Sequence, residues 1–267
     1  PQESHFVVLG GEKLLETWTL NGQIGYSHAF QDTPDEVEAL FVGGPFNGAF
    51  HDTRKPIPAM EAAYYDASSY EMDELKREDQ LTTDTEVNLK LDFARDYVLS
   101  GHPSQLKFGT KLSRREKDND VEVVEFDTGD LASTSLEDYQ TEVDYGLAPF
   151  GPGASNSAIR GALAGLNGER NEVDSRLEDF EMREDVNALY VMNSIDIGDW
   201  HLLAGLRYEG TSFEADGVRY DDASGEWSPN RSDKQDDHVL PGLHANYRLD
   251  SDTLVRAAFT QSVVRPS

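Results

Sequence analysis

The sequence contains no cysteine, which excludes a disulfide scaffold and thiol catalysis while leaving the compartment open. It has no run of about 18 apolar residues, so no helix of it crosses a membrane. A membrane β-barrel is not excluded by that absence, because its strands place their apolar residues at every second position. Bases are scarce: 23 Lys and Arg stand against 51 Asp and Glu, for a formal net charge of -28. Such a chain repels phosphate, and nucleic acid is not an expected partner. The motifs of common enzymes are missing as well, with no Gly-x-Ser-x-Gly, His-Glu-x-x-His or phosphate-binding glycine loop. The seven histidines are scattered without metal-ligand spacing, and Asp118-Asn119-Asp120 with Glu122 fits no calcium loop. No catalytic residue, metal site or cofactor is expected. Pro1 opens the chain with neither an initiator Met nor a signal-like apolar stretch, as in a mature form or an excised piece.

What is present is an alternation of lengths. Amphipathic strand pairs with very short turns are separated by long acidic stretches at 31 to 83, 118 to 183 and 215 to 237, which together carry -24 of the -28. The clearest pair runs from Glu184 to Phe213 and turns at Gly198-Asp199. In its second arm Trp200, Leu202, Ala204, Leu206 and Tyr208 share one face, and His201, Gly205, Arg207, Glu209 and Thr211 share the other. Asp84 to Leu99 repeats the pattern, with Thr85, Val87, Leu89, Leu91, Phe93, Tyr97 and Leu99 on one face, broken by Arg95. After Ser100-Gly101-His102-Pro103 the chain returns over Ser104 to Lys117, with Lys107, Lys111, Ser113, Arg115 and Lys117 on a basic face.

Near the start, His5 to Leu9 leads through Gly10-Gly11-Glu12 into an arm from Leu14 to Phe30, where His28 interrupts the apolar phase. Asn21-Gly22 is a strong hairpin signal, but the phase persists across it and favours one strand. A last pair covers Asp237 to Leu249 and Thr253 to Val264. Within the long stretches, Gly43-Gly44-Pro45, Pro56 and Pro58 mark an irregular excursion with a short strand at Ala39 to Val42, and Ser155 or Asn156 caps a helix running to Leu166. Tyr64, Tyr65, Tyr70 and Trp227 are placed either to stack on sugar rings or to anchor loops to one another.

Eight strands result, with tight turns at one end and long loops at the other. They are longer than those of most soluble sheets and long enough to cross a bilayer. Trp200 and Tyr208 lie about 26 Å apart along a strand, or about 20 Å along a membrane normal at a tilt of ~40°, close to the height of a lipid-facing band. The pattern predicts an all-β, antiparallel transmembrane barrel wall with short periplasmic turns and long extracellular loops. A soluble β-sandwich and a small closed eight-stranded barrel, structural or adhesive rather than transporting, share the alternation and stay open at this level.

Several segments resemble successive barrel strands of TonB-dependent outer-membrane receptors. They are Leu106 to Lys111 with Arg114 to Lys117, Leu203 to Glu209, Leu240 to Leu243, Leu254 to Ala258, and Val264-Arg265-Pro266-Ser267. The resemblance implies that residues 1 to 267 are a partial barrel domain, about eight strands of a 22-stranded wall. The plug and the TonB-contacting segment of that family lie outside the sequence. It implies residence in the bacterial outer membrane and uptake of a scarce nutrient such as siderophore-bound iron, cobalamin or an oligosaccharide. Outer-membrane lipid, TonB and the ligand are then the partners. On this reading Lys107, Lys111, Arg115, Arg207 and Arg256 line the lumen, either to attract anionic ligands or simply as paired charges. Trp18, Tyr26, Tyr97, Trp200, Tyr208, Tyr247 and Phe259 form the lipid-facing girdles, and the wall exposes two unpaired strand edges, at His5 to Leu9 and Thr253 to Val264.

Overall fold

The computed structural model describes residues 1–51, 54, 58–143, 146 and 150–264. Pro56 and the closing Arg265-Pro266-Ser267 lie outside that set. Eight long strands follow one another in space as in sequence: β1 Gln2–Leu15, β2 Trp18–Gly43, β3 Tyr70–Leu99, β4 His102–Glu125, β5 Phe180–Ile197, β6 Trp200–Asp221, β7 Glu226–Arg248 and β8 Leu254–Thr260. They form one antiparallel sheet in which β1 and β8 are the two ends, with the two-residue segment Glu169–Arg170 added beside β4. Tight turns occur where the sequence supplies residues that tolerate positive φ. Ser100 and Gly101 take φ of 53° and 86° between β3 and β4, and Gly198 takes 59° between β5 and β6. No helix among the described residues is long and apolar enough to cross a membrane.

The structure moves several expected boundaries. The first turn is at Glu16-Thr17, where Glu16 has φ 37°, and Gly10-Gly11 pairs in mid-strand with Gln23 and Gly22. Strand β2 runs through Asn21-Gly22 without a break, and the segment Ala39 to Val42 is its continuation. The stretch expected as a loop over 31 to 83 shrinks to 44–69, because β2 and β3 extend past both its ends. The stretch over 118 to 183 shrinks to 126–179. The stretch over 215 to 237 is no loop: β6 and β7 pair from Trp200↔Tyr247 to Asp221↔Glu226. One cause underlies these shifts. Where both faces of a strand are wet, as with Glu214 and Asp216 against Arg231 on one face and Lys234 with Asp236 on the other, backbone pairing continues while the apolar period of two disappears.

The chain divides into two compact units, residues 1–31, 82–119 and 179–267, and residues 32–81 and 120–178. The second has an apolar core of Ala67, Met72, Leu75, Val124, Phe126, Leu136, Tyr139 and Ile159, with Leu75 fully buried. Helix α1, Asn156–Leu163, is the one anticipated, capped by the Ser155 hydroxyl accepting from the Ala158 N–H. Helix α2, Glu172–Glu178, was not anticipated. It is fastened by Ser175, whose buried hydroxyl accepts from the Val123 N–H at 2.9 Å and donates to the Asn171 carbonyl at 2.7 Å. The tyrosines of this unit pack on one another: Phe46 lies against Tyr64 and Tyr70, Tyr64 against Tyr65, and the Tyr70 hydroxyl donates to the Tyr64 carbonyl. Trp227, in the other unit, stacks on Tyr220 across the β6–β7 hairpin.

Carboxylates crowd one region of the second unit. Lys76 bonds Asp174 at 2.9 Å and Glu74 at 3.1 Å, and the Asp174 bond raises its pKa. Burial raises the pKa of Glu78, and Glu178, Glu36 and Glu38 raise it further. A raised folded-state pKa gives stability that is present below the unfolded carboxylate value and is lost as pH rises through the folded one. Glu78→Gln is therefore expected to stabilise α2 at neutral pH by about 0.2–1 kcal/mol, the scale of one unfavourable charge pair. Hydrogen exchange of the α2 amides, corrected for intrinsic rates, should slow at pH 7 and match the native chain at pH 4. Equal protection at both pH values is the contrary outcome.

Candidate functional site

In an antiparallel sheet, residues directly opposite each other project to the same face, so the registers carry a face across many strands. One row runs Asn193↔Ala204↔Leu243↔Phe259, the next Ile195↔Leu202↔Ala245↔Ala257, and the next Ile197↔Trp200↔Tyr247↔Val255. On the other side of the first lie Phe108↔Val191↔Leu206↔Pro241 and Thr110↔Leu189↔Tyr208↔Val239. Phe108 in turn stacks on Phe93 at 5.3 Å and meets the edge of Trp18 at 6.0 Å, which carries the face onto β3 and β2. Its side chains stand exposed, Leu189 at 60% and Leu243 at 53%. The two residues that break its apolar phase are both accounted for. The Arg95 guanidinium lies 5.4 Å over the Trp18 ring, and His28 Nδ1 lies 3.0 Å from the Thr85 hydroxyl.

The opposite face is polar and its charges are networked. Asp92, 8% exposed, accepts from the Tyr190 hydroxyl at 2.6 Å and pairs with Lys90 at 3.1 Å and Lys107 at 3.6 Å. Tyr190 reaches across β4 because its partner there is Gly109. A Cβ at that position would stand 2.8 Å from both the Tyr190 ring and Asp92 Oδ1. Arg207, opposite Tyr190 on β6, bonds the buried Glu209 at 2.8 Å, and Arg115 forks onto Asp84 with Nε 2.9 Å from Oδ1. Ser113 donates to Glu86 at 2.7 Å. Beside Arg207, Met192, Leu203, Gly205, Leu240 and Gly242 line a shallow hollow.

The predicted residues thus divide cleanly. Trp18, Trp200, Tyr208, Tyr247 and Phe259 lie on the apolar face, as do Tyr26 and Tyr97 by their phase within β2 and β3, and the Tyr97 hydroxyl donates to Asn193 at 3.2 Å. Lys107, Lys111, Arg115, Arg207 and Arg256 lie on the polar face. Of these, Lys107, Arg115 and Arg207 are paired with acids, whereas Lys111 and Arg256 form no ion pair among the described residues. Lys90, Asp92 and Tyr190 join this network and are not among the residues predicted from sequence. The signal that marks Tyr190 is a lone aromatic hydroxyl in the polar phase of β5.

A sheet whose exposed apolar face spans at least seven strands while its other face carries networked charge is the pattern of a membrane barrel wall. The family model for the TonB-dependent receptor-like β-barrel matches residues 13–267. The chain belongs to the TonB-dependent receptor family. Its setting is accordingly the bacterial outer membrane, in a family of transporters rather than enzymes. Among solved structures, it is similar to the ferric citrate transporter FecA in its unliganded form, with a TM-score of 0.50 at 11% identity over 94% of this chain and 26% of that one. It is also similar to the siderophore receptor PiuA of Acinetobacter baumannii, with a TM-score of 0.53 at 12% identity over 93% of this chain and 30% of that one. At such identities the likeness is one of fold, and the receptor chain spans under a third of the length of either structure. No curated protein sequence matches it.

Proposed function

We propose that this wall belongs to a receptor that imports a scarce nutrient, an anionic metal chelate, through the barrel interior, driven by TonB acting on a segment outside this sequence. The tight turns then face the periplasm and the excursions 44–69 and 126–179 the exterior. The apolar face meets lipid, with Trp18, Tyr26, Tyr97, Trp200, Tyr208, Tyr247 and Phe259 as its aromatic girdles. The polar face lines the lumen. The observation that carries the choice of ligand is the locus around Asp92. In a chain of net charge -28, one carboxylate there is shared by Lys90 and Lys107, and Lys111 beside them brings a further cation. At that locus three bases surround one acid where water is confined, which favours passage of an anion. The two similar solved structures, a ferric citrate transporter and a siderophore receptor, agree with that class.

Lys107→Gln with Lys111→Gln in the full-length receptor removes two positive charges without shortening the wall. Each charge contributes about 1 kcal/mol at 4 Å in water, so uptake of radiolabelled ferric citrate or a ferric siderophore at limiting concentration should fall roughly fivefold to thirtyfold. It should also weaken less steeply with added salt than uptake by the native receptor. Unchanged uptake of every anionic chelate tried, in cells where the variant reaches native abundance, sinks the ligand assignment. Uptake that persists in cells lacking TonB sinks the transport assignment.

A further inference from the structure

We infer that the described residues of the two excursions, 44–69 and 126–179, are one body that opens as a whole and not two loops that move separately. The apolar core of the second unit is built from both. Ala67, in the short turn Ala67–Ser69 of the first excursion, is buried in the same cluster as Leu136, Tyr139 and Ile159 of the second. Tyr139 also meets the Phe41 ring at 5.9 Å. Gly151 lies against Tyr64 so closely that a Cβ there would be 3.3 Å from the ring. Withdrawing either excursion therefore strips apolar cover from the other, and the cost is borne jointly.

Polar links bind the second excursion to the strand extensions that frame the first. The Met72 N–H donates to the Thr134 carbonyl at 2.7 Å beside a bridge between Glu71 and Ser135, and the Phe126 N–H donates to the Leu75 carbonyl at 2.9 Å. Lys76 pairs with Asp174, and the Arg160 guanidinium donates to the Asp35 carbonyl. These links cross between segments up to 125 residues apart in sequence. Two segments that share a close-packed core have few intermediate arrangements, so their opening is a single two-state event. The inference concerns only how this unit moves and stands whichever ligand the receptor imports.

Hydrogen exchange of the full-length receptor in detergent micelles tests it. Ile159→Ala, a truncation in α1 of the second excursion, should speed exchange at least tenfold at residues 62–69 of the first as well as at 128–139, with β5 and β6 between 188 and 206 unchanged. Faster exchange confined to 126–179 overturns the inference. Residues 1–267 have no cysteine, so in a full-length receptor otherwise free of cysteine Glu71→Cys with Ser135→Cys gives a second reading that does not depend on weakening the core. Oxidation without any ligand should close this disulfide in most molecules and slow exchange at 62–69 as well as at 126–139. Failure to close, or protection gained only around residue 135, overturns the inference independently.

Discussion

Arginine in place of Leu243 is expected to keep the receptor from folding stably in a bilayer. Leu243 stands on the apolar face opposite Ala204 and Phe259, midway along β7 between Val239 and Tyr247, which pair with Tyr208 and Trp200. If those aromatics mark the two edges of the hydrocarbon, Leu243 lies near its centre, where a barrel's lipid-facing arginine costs about 2–4 kcal/mol. The neighbouring His244 projects to the polar face opposite Leu203 and Ala258, and His244→Arg there is expected to cost at most about 1 kcal/mol. Urea titration of each variant, folded into phosphatidylcholine vesicles, compares the two directly. A native midpoint for Leu243→Arg together with a large loss for His244→Arg would reverse the assignment of the faces.

That assignment was legible in the sequence wherever one face is apolar and the other wet, because the side-chain period of a strand is fixed at two. Val87 to Leu99 and Trp200 to Tyr208 carry it openly, and the structure keeps every one of those residues in phase. Legibility failed where the physical contrast failed. From Phe213 to Gln235 both faces carry charge, so a strand pair read as a loop. The core of the second unit was hidden for a different reason. Met72 and Leu75 sit in a densely charged stretch and are three residues apart, and the buried positions of β4 change parity between Val123 and Val124, so no alternation announces them. The pairing of Ala67 with Leu136 and Tyr139 joins segments about 70 residues apart, and composition carries no trace of it. Gly10-Gly11 misled in the opposite sense, a strong turn signal overridden by fourteen continuous pairs between β1 and β2. The cationic locus was half visible: Lys107 and Lys111 follow from phase, but the choice of Asp92 as their shared partner depends on Gly109 leaving room for Tyr190.

Asp92 is accordingly the residue whose loss should most disturb the polar face. Asp92→Ala leaves Lys90 and Lys107 facing each other without their common acid and the Tyr190 hydroxyl without its acceptor. Hydrogen bonds to a charged group contribute about 1.5–3 kcal/mol each when buried, and Lys90 is 48% exposed, so a total loss of about 1.5–3 kcal/mol is expected rather than a sum over three partners. Guanidinium unfolding of the full-length receptor in detergent should show this as a lower midpoint with an unchanged slope. Tyr190→Phe removes one neutral donor and should cost about 0.5–1.5 kcal/mol. Combining Asp92→Ala with Lys107→Met should cost less than the two single changes added, because each removes the same contact. Strict additivity would mean that the 3.6 Å pair is not an energetic one. The same substitution also separates stability from ligand attraction. Removing a negative charge from among Lys90, Lys107 and Lys111 strengthens the local positive field, so an anionic chelate should associate about fivefold more tightly, about 1 kcal/mol, with a receptor that is less stable. Stability and affinity lost together would instead show that the carboxylate positions the lysines for the ligand and does not merely offset them.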